Sequence, residues 1–194
     1  LPKAASNKID EQAWNPTFYS YTENEQDEFS LSSDAVQDIL QDSKGQLWIA
    51  TGHGLSVIDS TNLPNTSVNY FLTKNKPALK FNNYHFDASD LNSLAGNNIQ
   101  SILEDEQGLI WLATTNGISQ HNWYTNQFDV FDIFGQTYKT PNAQNLFVDT
   151  EQIAWIGTGK NGVIQYDLAD RTIHSFSNQY RHLFIDTYVS CIVS

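Results

Sequence analysis

The stretch VQDILQDSKGQLWIATGHGLSVID, residues 36–59, decides the reading because the chain repeats it twice: as IQSILEDEQGLIWLATTNGISQHN at 99–122 and as AQNLFVDTEQIAWIGTGKNGVIQYD at 143–167. Counted from Trp48, Trp111 and Trp155, an Asp lies six residues before (Asp42, Asp105, Asp149) and a Thr three after (Thr51, Thr114, Thr158). A Gly follows each Trp by six or seven residues (Gly54, Gly117, Gly162), and an apolar residue precedes it by nine (Ile39, Ile102, Leu146). Each copy then closes on a short aromatic run: VNYF at 68–71, FDVF at 128–131 and IHSF at 173–176. The Trp-to-Trp intervals are 63 and 44 residues, so the first copy carries nineteen extra, expected within the polar stretch 72–95.

Each unit holds four short apolar runs separated by turn signals. Asp-Ser-Lys-Gly (42–45) and Asp-Glu-Gln-Gly (105–108) suit a tight turn, because Asp bonds to the main chain ahead and Gly accepts positive φ. The third copy has Asp-Thr-Glu-Gln (149–152), and the loss of its Gly predicts another turn geometry there. Val36, Ile39 and Leu40 also fit a helical spacing, which leaves a stack of short helix-strand units as the structural alternative. Strands win because the run is barely two helical turns long and ends in a turn. Four evenly spaced strands per unit, with one Trp each, predict an all-β fold. Its architecture is a β-propeller fragment of about three complete four-stranded blades with partial blades at both ends.

The expected organisation is an N-terminal extension over 1–17 and propeller blades over 18–194. FYSY (18–21) reads as the closing strand of an earlier repeat, and Val189 with Ile192 opens a fourth whose Trp would fall near position 201. The absence of Met, even at position 1, predicts that the natural start has been removed.

Composition excludes several classes of function. Ten Lys plus Arg against 22 Asp plus Glu give a net charge of −12, so no basic surface exists to displace counterions from nucleic acid. The longest apolar runs, such as LIWLA at 109–113, are far shorter than the roughly 18 or more residues of a membrane helix. Cys191 is the sole cysteine, which removes an intrachain disulfide framework and any Cys-based zinc site.

The repeated Asp, Trp, Thr and Gly residues recur at one structural position each, so packing and turn formation account for them. Asp42, Asp105 and Asp149 lack the dense oxygen ligands of a calcium loop, and no metal or cofactor is expected. The Asp-to-Trp pattern approaches the tryptophan-docking motif of quinoprotein dehydrogenases, but its Gly-to-Trp spacing is one residue short. GTGKNG (157–162) has the letters of a phosphate loop without their order. The five His residues at 53, 85, 121, 174 and 182 show neither H-E-x-x-H nor paired spacing, and no G-x-S-x-G elbow is present, so no catalytic residue is assigned.

One loop set suits ligand contact. Between the second and third runs of each unit the residues vary while the frame stays fixed: His53, Asn116, and Lys160 with Asn161. The insert is expected to join one blade to the next on that same face, which adds Lys80, Tyr84 and His85 as candidate contacts.

The pattern D-x-x-G-x-x-W-I-[AG]-T-x-x-G-[LI], with DSKGQLWIATGHGLSVID at 42–59 as a near-consensus copy, resembles the repeat of the two-component regulator propeller family. The likeness runs over about 18–194, and the opening FYSYTENEQDEFSLSSDAVQDIL (18–40) is similar to the way such sensors begin their first blade. What the resemblance implies is a non-enzymatic periplasmic sensor segment of a bacterial inner-membrane receptor, with a histidine kinase or diguanylate cyclase as cytoplasmic output. A small molecule or saccharide would be its ligand. Open edges of incomplete blades invite pairing, so self-association through blade edges, or as a receptor dimer, is expected on either reading. Streptogramin lyases carry weakly similar repeats, so the alternative is a stand-alone propeller enzyme, lyase or hydrolase, or an interaction scaffold.

Overall fold

In each repeat the motif Asp accepts three hydrogen bonds that close the first turn. Asp42 takes the Trp48 indole N–H on Oδ2 at 2.8 Å, and the main-chain N–H groups of Lys44 and Gln46 on Oδ1 at 3.0 and 2.8 Å. Asp105 does the same with Trp111, Gln107 and Leu109 at 2.9 Å each. Asp149 holds Trp155, Glu151 and Ile153 at 2.8, 2.9 and 3.0 Å. Burial alone would raise the Asp149 pKa, but the bonds from Trp155, Ile153 and Glu151 bring it below the ordinary carboxylate value.

The computed structural model describes residues 18–63, 76–131, 142–159, 162–170 and 172–175. Blade 1 comprises β1 (Val36–Gln41), β2 (Leu47–Thr51), β3 (Gly54–Ile58) and β4 (Asn82–Tyr84), with a single 3-10 turn at Ser60–Asn62 capped by the Asp59 carboxylate. Blade 2 comprises β5 (Ile99–Glu104), β6 (Ile110–Thr114), β7 (Gly117–Asn122) and β8 (Gln127–Phe131). Blade 3 comprises β9 (Ala143–Val148), β10 (Ile153–Thr158), β11 (Val163–Asp167) and β12 (Thr172–Ser175). All neighbours are antiparallel, each sheet runs in chain order, and no α-helix occurs among the described residues.

The second strand of a blade is buried on both faces, so its residues alternate between two cores rather than between core and water. Ile110 and Leu112 of β6 pack with Trp48, Ala50 and Ile99 between blades 1 and 2. Trp111 and Ala113, on the other parity, pack with Leu146, Ile156 and Tyr166 between blades 2 and 3. On blade 1, Ile49 turns away from blade 2 to meet Leu31, Ile58 and Phe81. Ile39 shows what the missing side of such a contact does: it is 57% exposed, while its repeat counterparts Ile102 and Leu146 are 6% and 7% exposed against the blade before them.

Three expectations are corrected. The closing strand of blade 1 is β4, not VNYF, which lies outside the described residues. Phe81, just ahead of β4, is buried and its N–H bonds the Phe29 carbonyl at 3.0 Å. Within β4, Asn83 accepts from Ser56 Oγ at 2.7 Å and donates to the Ser30 carbonyl at 2.8 Å. The nineteen extra residues therefore lie inside blade 1, where 59–81 links β3 to β4; four residues, 123–126, make the same link in blade 2. FYSY forms no strand: residues 18–24 run without regular pairing, and Tyr21 instead donates to the Pro77 carbonyl at 2.9 Å and stacks edge-on against Phe81. Val189 and Ile192 lie outside the described residues.

Nor does the third turn change geometry. Gln152 takes φ +63°, beside +81° at Gly45 and +76° at Gly108, and keeps the same pair of turn bonds, Asp149 N to Ile153 O and Gln152 N to Asp149 O, both 3.0 Å. A left-handed residue with a Cβ costs about 1–2 kcal/mol, part of which Gly loses again through its freer unfolded chain. Gln152→Gly is therefore expected to stabilise the chain by about 0.5–1 kcal/mol in urea unfolding, and Gly108→Ala to destabilise it by about 1 kcal/mol.

Candidate functional site

Strand direction divides the connections between two faces. The β2–β3, β6–β7 and β10–β11 strand ends share one face with the β4–β5 connection 85–98, and the Asp turns share the opposite face with both ends of the 59–81 link. On the first face the motif Thr frames each loop. Thr51 Oγ1 donates to the Gly54 carbonyl at 2.8 Å and accepts from His53 N at 3.1 Å. Thr114 repeats this with Gly117 and Asn116 at 2.9 and 3.1 Å. Thr158 spans a loop one residue longer to reach Gly162 at 2.9 Å. The residue after the turn, His53 or Asn116, is thus presented by a fixed main chain.

The 85–98 connection lies across both of these loops. Gly54 N–H bonds the Asn97 carbonyl at 2.7 Å, and Asn97 Oδ1 accepts from Phe86 N at 2.7 Å. Gly54, at φ +125°, leaves room for His85: a Cβ there would lie 2.7 Å from His85 Nδ1. Gly96 sits at the blade 2 end, where a Cβ would come within 3.1 Å of the Asn116 Cβ. The His53 and His85 rings face each other with centroids 5.8 Å apart and planes inclined at 54°. Partial desolvation, and then the neighbouring His53 charge, lower the His85 pKa, against the opposing effect of a hydrogen bond to the His53 main chain.

The predicted ligand set therefore separates. His53, His85 and Asn116 share one face along a single connection. Lys80 belongs to the opposite side, with its ammonium 4.9 Å above the Phe29 ring. Tyr84 is an interblade packing residue: its ring meets Phe128 edge-on at 5.3 Å and its hydroxyl accepts from Asn126 Nδ2 at 3.1 Å. Lys160 and Asn161 lie outside the described residues. The expectation that the insert shares the loop face is corrected with it, because a β3–β4 link must end on the Asp-turn side.

A second cluster on that opposite side has no counterpart among the predicted residues. His121, only 3% exposed, stands 5.0 Å from the Trp48 ring, 4.5 Å from Trp123 and 5.5 Å from Phe128, all edge-on. Its Nε2 meets Asn126 Oδ1 at 3.0 Å, and Nδ1 has no hydrogen-bond partner among the described residues. Lys44 caps the cluster with Nζ 3.0 Å from the Trp123 ring centroid. The signal for it was Trp123, a Trp outside the repeat register. In blade 3 the same two positions hold Tyr166 and Leu168.

Three four-stranded antiparallel sheets packed side by side, with Trp48 turned to blade 2 and Trp111 to blade 3, define a segment of a β-propeller. The family model for the two-component regulator propeller matches residues 30–53 and 93–116, which hold the first two strands of blades 1 and 2. No curated protein matches the chain significantly. Among solved structures, the extracellular domain of the hybrid two-component system BT3049 from B. thetaiotaomicron is 20% identical with TM-score 0.64, over 83% of this chain and 21% of that one. The extracellular domain of the one-component system BT4673 from the same organism is 22% identical with TM-score 0.53, over 73% and 16%. The chain thus spans about a fifth or less of those domains, and at such identity the likeness is one of fold. No helix among the described residues is long and apolar enough to cross a membrane.

The buried His121 gives the fold a pH dependence. Desolvation, only partly offset by the Asn126 bond, lowers its pKa, so the native state holds neutral imidazole while the unfolded chain takes up a proton below about pH 6.5. Stability is then full above that pH and falls as pH drops toward the native pKa, by up to about 1.4 kcal/mol per unit. His121→Tyr, the blade 3 residue, is expected to flatten the slope of urea-unfolding free energy between pH 7 and 5. An unchanged slope contradicts this assignment.

Proposed function

We propose that this chain is a ligand-sensing propeller segment of a bacterial transmembrane receptor, lying outside the inner membrane. Ligand binding passes to a cytoplasmic kinase or diguanylate cyclase output, and the segment itself is non-catalytic. The observation that carries this reading is the pair of two-component regulator propeller repeats at 30–53 and 93–116, set in a fold shared with extracellular domains of bacterial signalling systems. The loop face supports it: Asn116 and His53 project from rigid Thr–Gly frames, and the 85–98 connection bridges them. A polar, pre-organised surface of this kind suits a small molecule or saccharide, because little ordering is required on binding. The receptor changes state only by as much as the ligand prefers one arrangement over the other.

The test titrates the complete receptor against a panel of oligosaccharides in a calorimeter and follows its output activity. One saccharide is expected to bind saturably and change the output, and Asn116→Ala is expected to weaken it about tenfold, about 1.4 kcal/mol. Binding with no dependence on Asn116 removes this face from the reading. Turnover of a saccharide by the purified chain overturns the non-catalytic assignment.

A further inference from the structure

We propose that His53 and His85 form a two-histidine site for a divalent transition-metal ion, at the point where the β2–β3 loop of blade 1 meets the β4–β5 connection. The two residues are 32 apart in sequence, and the blade brings their rings to a centroid separation of 5.8 Å. In a tetrahedral zinc site each imidazole nitrogen lies about 2.0–2.1 Å from the ion, which puts two ring centroids about 5 Å apart. Small side-chain rotations close that difference. Both residues are exposed, so the ion reaches them without opening the fold.

The main chain beneath the pair is also held. His53 N–H is fixed on Thr51 Oγ1 at 3.1 Å, and the adjoining Gly54 N–H on the Asn97 carbonyl at 2.7 Å. The His85 ring nests on Gly54, where no side chain would fit, and hydrogen-bonds the His53 main chain. For His85, a ring nitrogen committed to the His53 main chain favours one ring orientation and leaves the other nitrogen as ligand. Among the described residues no third His, Cys, Asp or Glu joins the pair, so the ion keeps positions open for water or for a donor atom of another molecule. The net charge of −12 favours approach of a cation. The site goes beyond the sensing role and stands or falls without it, since its probe is the metal alone.

The experiment is calorimetric titration of the chain with zinc chloride, with imidazole nitrogens followed by NMR. One zinc ion is expected to bind saturably, and His53→Gln and His85→Gln are each expected to weaken it at least tenfold. Affinity unchanged in either variant, or no saturable binding up to about 1 mM zinc, overturns the proposal. Should a variant fail to fold, the unsubstituted chain still decides the question: zinc must shift the ring nitrogens of His53 and His85 together and leave His121 in place, and shifts confined to other histidines overturn the site. Asn116→Ala, which tests the sensing face, is expected to leave zinc binding unchanged, so the two readings fail separately.

Discussion

A carboxylate that accepts an indole N–H and two main-chain N–H groups sets the geometry of every described blade. Without those donors, burial of Asp42, 4% exposed, or Asp105, 7% exposed, would leave a desolvated charge. With them, the Asp fixes the turn between the first two strands and the rotation of the Trp on the second. The Trp then presents its ring to the next blade, Trp48 to blade 2 and Trp111 to blade 3, and the interblade cores form around it. Local turn chemistry and long-range packing are thereby joined at one side chain. The blades are tied further by Asp38, which accepts from Ile102 N at 2.8 Å, and by Glu104, which accepts from Ser43 N at 2.8 Å and from its hydroxyl at 2.5 Å.

The same strand alternation sorts function from structure. Structural work concentrates on the Asp-turn face, where Trp48, His121, Trp123 and Lys44 fill the seam between blades 1 and 2. The opposite face carries short loops framed by Thr hydroxyls, with side chains left free to vary at a fixed position. Both ends of the 59–81 link lie on the Asp-turn side of blade 1, whereas His53, His85 and Asn116 are exposed on the loop face.

Most of the frame was legible in the sequence, because each motif residue acts through local bonds that its spacing encodes. Asp six before Trp, and Thr three or four before Gly, are distances that a turn fixes by itself. The position of β4 was not legible in the same way, since VNYF has stronger strand propensity than NNY. What selects 82–84 is tertiary: Phe81 enters a core with Leu31 and Ile58, and Asn83 ties to Ser30 and Ser56. One signal did point there, because Phe18 and Phe81 each stand eighteen residues ahead of Val36 and Ile99, so FNNY aligns with FYSY. His53 and His85 were both legible as loop-face candidates, but their adjacency was not: their separation in sequence contains the insert, and only sheet pairing removes it. Gln152 shows the converse, a lost Gly that the Asp149 bonds override.

Asp and Trp act as one unit in each blade, which a double-mutant cycle on Asp105 and Trp111 measures. Trp111→Phe removes the indole N–H, Asp105→Ala removes its acceptor, and the double variant removes both. Urea unfolding of the four proteins is predicted to give a coupling energy of about 1–3 kcal/mol, as for a buried charge-assisted hydrogen bond. Additive effects, with coupling below about 0.3 kcal/mol, would contradict the account and reduce the repeated pair to independent turn and packing residues.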